Sequence, residues 1–333
     1  MSLPLYPAHS DLTANLSQNT TSEPTGVGVQ RSILAPVLFL ETAVGVSGNI
    51  LVIVTKIKNS KLVRSNFGIL MFNLSVSDLG CSLVIMVSAL VSVLAGNWVL
   101  GAVVCDLVCL LNYTFIIVSM GTLGAISLDR FVAVVFAVRY RTLFPRSVAV
   151  LACVSTWISG LVFGSVPVIL RWVSYDGSEL VCTIRWNEDF CHVVIYTLCA
   201  FAVCFLTPIV IIASSYSLMY RAYRRAASKS NRKNSSSPRL AEMIIVLVLS
   251  YLFCYSPFAV TKVLKVAKQD LKAVPDWLSM LASLMAFLNC GMNPLIYLTN
   301  PGFREAVLKM CWTNGRREIH SVCKTVSKEQ RPA

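Results

Sequence analysis

The 333-residue chain is 56% hydrophobic and only 14% charged, yet its net charge is +13. Soluble domains carry roughly 25% charged residues, so the composition excludes an ordinary soluble enzyme. The basic excess also fails to read as a nucleic-acid footprint, because its lysines and arginines fall in alternate short loops between apolar runs.

Residues 1–32 are polar and lack the apolar core of a cleavable signal peptide. They are predicted to form a disordered tail, with glycosylation sequons at Asn15 and Asn19. Seven apolar stretches follow, each near the roughly 20 residues needed to cross a bilayer. They are Ile33–Thr55, Phe67–Leu94, Val103–Val135, Ser147–Leu170, Val193–Met219, Ala241–Val266 and Leu278–Leu298. The predicted architecture is an all-α, seven-helix integral membrane bundle over residues 33–298, with no room for a separate catalytic domain.

The loops set the topology. Basic residues gather after the first span (Lys56, Lys58, Lys61, Arg64), the third (Arg139, Arg141, Arg146) and the fifth (Arg221, Arg224, Arg225, Lys229, Arg232, Lys233, Arg239), and again after the seventh. Lysine and arginine accumulate on the cytoplasmic side. The N-terminus is therefore expected outside and the C-terminus inside, as in a multi-pass plasma-membrane protein. Tyr220–Pro238, basic and serine-rich, reads as a flexible connector. Pro301-Gly302 breaks the seventh helix. Residues 299–312 then alternate apolar and charged side chains and read as a short amphipathic helix on the membrane lipid, followed by a polar cytoplasmic tail over 313–333.

An ionisable group at bilayer depth costs about 2.5–3.5 kcal/mol, so it usually has a functional reason. Asp78 lies in the second span and Asp129-Arg130 near the inner end of the third. Asn49, Asn289 and Asn293 lie in the first and seventh spans. Any one asparagine reads as an interhelical hydrogen bond; their joint order along the chain is the specific signal. Cysteines within spans behave as small apolar residues, whereas Cys105, Cys182 and Cys191 fall at outer ends, in an oxidising compartment. No cysteine–histidine spacing suggests zinc, and no internal repeat suggests a transporter. His9, His192 and His320 are scattered, so no enzyme site is expected.

Each span also carries a short motif. These are Gly48-Asn49, LSVSD ending at Asp78, LDRF at Leu128–Phe131, Trp157, Pro208 with Tyr216, CYSP at Cys254–Pro257, and NPLIY at Asn293–Tyr297. Together, over residues 32–312, the chain resembles the rhodopsin-like (class A) G-protein-coupled receptors, and GAISLDRFVAVVF is similar to orphan receptors of that family. The resemblance implies a receptor that activates a heterotrimeric G protein. Transporter and intramembrane enzyme are the rival classes.

At about 1.5 Å per residue, Cys105 and Arg130 are roughly 37 Å apart along a helix, at opposite membrane faces. WVLGAVVC resembles the family's first outer loop, which implies that Cys105 pairs with Cys182; Cys191 is the rival. Arg130 is implied as the coupling residue, held at rest by Asp129 and meeting Tyr216 and Tyr297 on activation. The acidic clasp that many members place on the sixth helix is replaced by Ser237. Pro257 is the implied hinge, with Tyr255 and Tyr251 where members carry tryptophan and phenylalanine.

Asp78, Ser119, Asn289 and Asn293 match the family's sodium pocket, and oxygen ligands around one carboxylate suit a hard cation; a water-filled polar network is the alternative. Asn112 stands where amine receptors place an aspartate, and Phe287 where retinal pigments place a lysine. The ligand is unknown, and its expected lining is Asn112, Tyr113, Ile116, Cys204, Tyr255, Phe258, Lys262 and Phe287. Lys262, with Lys265, Lys268 and Arg171, could draw an acidic ligand or snorkel at the interface. Cys311 could be palmitoylated or remain a free thiol.

Overall fold

The computed structural model describes residues 25–58, 65–185, 190–229, 238–268 and 274–310. Asn15, Asn19, Ser237 and Cys311 lie outside the described residues, as does the side chain of Cys204. The seven spanning helices are α1 (Thr25–Lys58), α2 (Asn66–Ala95), α3 (Ala102–Val135), α4 (Arg146–Ile169), α5 (190–229), α6 (Pro238–Lys268) and α7 (Asp276–Thr299). Residues 301–310 form an eighth, α8. Six of the seven are long and apolar enough to cross a bilayer. The fifth is broken into Phe190–Phe201, a π-helical turn at Ala202–Leu206, and Thr207–Lys229. Helix α2 carries a similar turn at Cys81–Met86.

Local chemistry sets the ends. The Ser65 hydroxyl accepts from Gly68 N at 3.0 Å and caps α2. Gly96, at φ 80°, ends it in the left-handed region that suits glycine. After α7, Asn300 turns extended and its Oδ1 accepts from Gly302 N and Phe303 N, capping α8 behind Pro301.

The structure departs from the sequence reading at three places. Helix α1 starts at Thr25, inside the tail expected to be disordered. Helix α5 runs on to Lys229, so the first ten residues of the expected connector, from Tyr220, are helical. The second outer loop, unremarked in the helical reading, is an antiparallel hairpin of β1 (Val173–Asp176) and β2 (Val181–Ile184), with Tyr175 opposite Cys182. Asp176-Gly177 between two β-rich runs is a hairpin signal, and a search tuned to spans passes over it.

The interior is polar at mid-depth and the outside is apolar. Phe39, Leu151, Ile158 and Phe253 are exposed, while Asn49, Asp78, Ser119, Asn289 and Asn293 are buried. A soluble monomer does not expose so continuous an apolar surface; a bundle bathed in lipid does. Helix α3 runs through the middle, packing on α2, α4 and α5, while α1 closes against α7 and α6 packs along α7. Close approach of α3 and α4 requires a glycine, since a Cβ on Gly164 would stand 2.5 Å from the Leu110 carbonyl oxygen.

Candidate functional site

Three layers of polar side chains run down the bundle. At the inner end of α3, Asp129 is fully buried and forms an ion pair with Arg130, whose Nε donates to its Oδ2 at 2.8 Å. The other carboxylate oxygen accepts from the Tyr140 hydroxyl at 2.6 Å. Tyr140 sits in the helical turn Tyr140–Leu143 of the inner loop and is itself held by Asn66 Nδ2, which also donates to the Phe144 carbonyl. Burial and the bond to Asp129 push the Tyr140 phenol up to about 12, so it stays a donor. The Arg130 guanidinium stacks 5.4 Å from the Phe67 ring centroid. Sequence reading found the acid–arginine pair and missed Tyr140, Asn66 and Phe67, because loop contacts leave no periodic trace. Tyr140→Phe leaves one oxygen of a buried carboxylate without its donor. The expected cost is about 1–3 kcal/mol, read as a lower midpoint of thermal unfolding in detergent.

Beside that lock, the Tyr297 hydroxyl is buried with no hydrogen-bond partner among the described residues, and its ring meets Phe303 of α8 edge-on at 6.0 Å. Tyr216 packs at the edge of the same core. Higher up, Tyr251 and Tyr255, six and two residues before Pro257, stack at 4.4 Å, so both aromatic replacements keep a packed column.

At mid-depth, Asp78 accepts from Ser119 Oγ at 3.1 Å and from Asn293 Nδ2 at 2.7 Å. Asn289 lies one turn from Asn293 on the same face of α7. The side-chain oxygens of Asn49, Asn289 and Asn293 are buried without hydrogen-bond partners among the described residues. Buried orphan oxygens beside a carboxylate are what a hard cation or ordered water satisfies, so these residues fit such an ion. Asn73, whose sequon pattern lies within a span, is buried and bridges helices: it donates to Thr122 at 2.8 Å and accepts from Trp157 Nε1 at 2.9 Å. Glu41, a further carboxylate in a span, escaped the sequence reading, and one of its oxygens is buried without a partner.

At the outer end, β2 is buried along its whole length and the Cys105–Cys182 disulfide ties it to the top of α3. Cys191 is a free thiol. Beneath the hairpin lies a cavity of about 480 Å³ between α3, α5 and α6. Of the expected ligand-facing residues, Tyr113, Ile116, Tyr255, Phe258 and Lys262 line it. Asn112 and Phe287 do not; Phe287 packs with Cys105, Leu180 and Cys182 in a separate core.

The basic cluster is not laid out as either sequence alternative supposed. Lys262 Nζ donates to Glu179 Oε2 and to Thr183 Oγ1, the latter at 3.1 Å, and Lys265 pairs with Glu179 at 2.7 Å and Asp176 at 3.6 Å. The hairpin thus brings two acids to lysines that had looked uncompensated, and sequence distance hid the pairing. Burial would raise the Asp176 carboxyl, but hydrogen bonds from Ser178 and the charge of Lys265 hold it below the usual carboxylate range.

Relatives share this arrangement of helices. Residues 48–297 match the 7 transmembrane receptor (rhodopsin family). The visual pigment-like receptor peropsin of Homo sapiens is 27% identical over 88% of this chain and 89% of its own length. Galanin receptor type 1 of Rattus norvegicus is 27% identical, covering 88% of each chain. The blue-sensitive opsin of Gallus gallus is 29% identical over 83% of this chain and 78% of its own. In three dimensions, the crystal structure of squid rhodopsin superposes with a TM-score of 0.75 at 24% identity, covering 88% of each chain. The chain belongs to the rhodopsin family of seven-transmembrane, G-protein-coupled receptors.

Proposed function

We propose that this receptor sits in the plasma membrane with its N-terminus outside, senses a small ligand in the cavity under the hairpin, and passes the signal to a heterotrimeric G protein through Arg130. The observation that carries this reading is the layout at the inner end of α3. Arg130 pairs with the acid beside it on its own helix, while Tyr140, itself held by Asn66, bonds that acid from the loop side. Swinging the inner half of α6 about Pro257 would open the cytoplasmic face and free the guanidinium for a partner. Tyr216 and Tyr297 are the proposed contacts of the released arginine.

The relatives' names divide between visual pigments and a galanin receptor. Phe287, standing at the position of the retinal-binding lysine and packed away from the cavity, favours a ligand held without a covalent bond. With Ser237 in place of an acidic clasp, α6 lacks one restraint on opening. Second-messenger output above that of mock-transfected cells is therefore expected without ligand. Output equal to mock would remove the constitutive part of this proposal.

Asp78, Ser119, Asn289 and Asn293 are the proposed holders of an allosteric sodium ion, which would steady the resting bundle by bridging α2, α3 and α7. Asp78→Asn removes the only carboxylate of that set. The expected result is a sodium-dependent rise in melting temperature for the unaltered receptor, measured against choline chloride, and its loss in the variant. An equal sodium response in both would leave only a water network there.

A further inference from the structure

The cavity under the hairpin has a volume within the roughly 300–1,000 Å³ of small-molecule pockets and a strongly apolar wall, including Ile116, Phe205 and Phe258. Its extracellular side is crossed by β2, which is buried throughout, joined to α3 by the disulfide and bonded to α6 through Thr183 and through Glu179 of the adjoining turn. Its flank is different. Helices α5 and α6 are neighbours in the ring and share an apolar core through Ile212 and Leu247, yet among the described residues their backbones come close at few points, unlike those of α6 and α7 or of α3 and α5. Leu198 on α5 and Val263 on α6 both line the cavity and are 58% and 52% exposed, whereas Tyr255 and Ile117 on its inner wall are buried. The cavity therefore reaches the surface that lipid covers.

Charge and polarity narrow the occupant. The ammonium of Lys262 is met by Glu179, so the cavity offers no uncompensated charge from that side. The Tyr113 hydroxyl bonds Thr183 at 3.1 Å and that of Tyr196 donates to the Phe163 carbonyl at 2.7 Å. The Thr197 hydroxyl is buried behind the wall, without a partner among the described residues and closed off from the cavity space.

We propose that the cavity takes an uncharged, lipid-like molecule, which enters from the bilayer between α5 and α6 and not from the extracellular water. This rests on the reading of the cavity as the ligand site. Glu179 then acts on selectivity as well as on the roof, since by neutralising Lys262 it keeps the pocket from favouring acids.

The test uses the full-length receptor in lipid nanodiscs and a long-chain alcohol carrying a photoreactive diazirine, with labelled peptides located by mass spectrometry. Labelling is expected on Leu198–Phe205 of α5 and Phe258–Val263 of α6, and excess unlabelled alcohol should displace it. Ala259→Trp, which fills the cavity, should abolish that labelling while leaving labels on the lipid faces of α1 and α4. The matching fatty-acid probe should label weakly, and Glu179→Gln should raise its labelling above that of the alcohol. The proposal is overturned if neither competitor nor Ala259→Trp alters labelling on α5 and α6, which would mean boundary lipid only. It is also overturned if the fatty acid labels the unaltered receptor as well as the alcohol does. Competition needs no variant, so misfolding of Ala259→Trp does not blunt the test. The readout requires no G protein, so a failure of coupling would leave it unmoved.

Discussion

Arg130→Ala is expected to reduce receptor-stimulated nucleotide exchange on a reconstituted G protein to the level of empty membranes, with the receptor still folded and delivered to the surface. The side chain is about one-sixth exposed, at 17%, at the inner mouth of the bundle, where it can be reached by a partner. Its neighbour Asp129 keeps the bond from Tyr140, so removing the arginine does not strip the buried carboxylate of every donor. Truncating a hydrogen-bonded charge in an interface typically costs about 2–5 kcal/mol of binding, enough on its own to suppress coupling by one to several orders of magnitude. Exchange at the rate of the unaltered receptor, in a variant shown to be at the surface, would sink the role given to Arg130.

The second large effect belongs to the disulfide. Cys105 and Cys182 are separated by 77 residues, and closing a loop of that size removes chain entropy worth about 4–5 kcal/mol. Cys182→Ser should therefore retain most receptor inside the cell. The fraction that folds should lose the hairpin's register over the cavity, because Cys182 is the buried centre of β2. Surface biotinylation and thermal unfolding would both report it. Full surface delivery with an unchanged melting point would show that the salt bridges from Glu179 to α6 hold the hairpin by themselves.

What the sequence made legible follows from the physics of each signal. A bilayer imposes a length and a polarity on every span, so the helices and the alternating charge of their loops could be read directly. Ionisable groups at depth are rare enough that Asp78, Asp129 and Arg130 stood out, and the structure joins Asp78 to Ser119 and Asn293. Pairings between distant segments were not legible. Glu179 meets Lys262 across 83 residues, and Asn66 meets Tyr140 across 74. No periodicity encodes such contacts; they follow from how loops fold over the ends of the bundle. Asn112 and Phe287 show the same limit from the other side. Each lies on a helix that borders the outer half of the bundle, yet a small rotation of α3 or α7 decides whether a side chain faces the cavity or a neighbouring helix.

The turn at Ala202–Leu206 gives α5 one residue more than a regular α-helix would hold over the same rise. Upstream and downstream segments are thus out of phase. Deleting one residue there would restore a continuous helix and rotate everything on one side of it by about 100°. Leu198 and Phe201 would then turn relative to Pro208 and Tyr216, and the pocket wall would change while the cytoplasmic half stayed in place. In such a protein the spacing of two halves along one helix acts as a coordinate in its own right, one that a change of length can adjust without altering the identity of any remaining side chain.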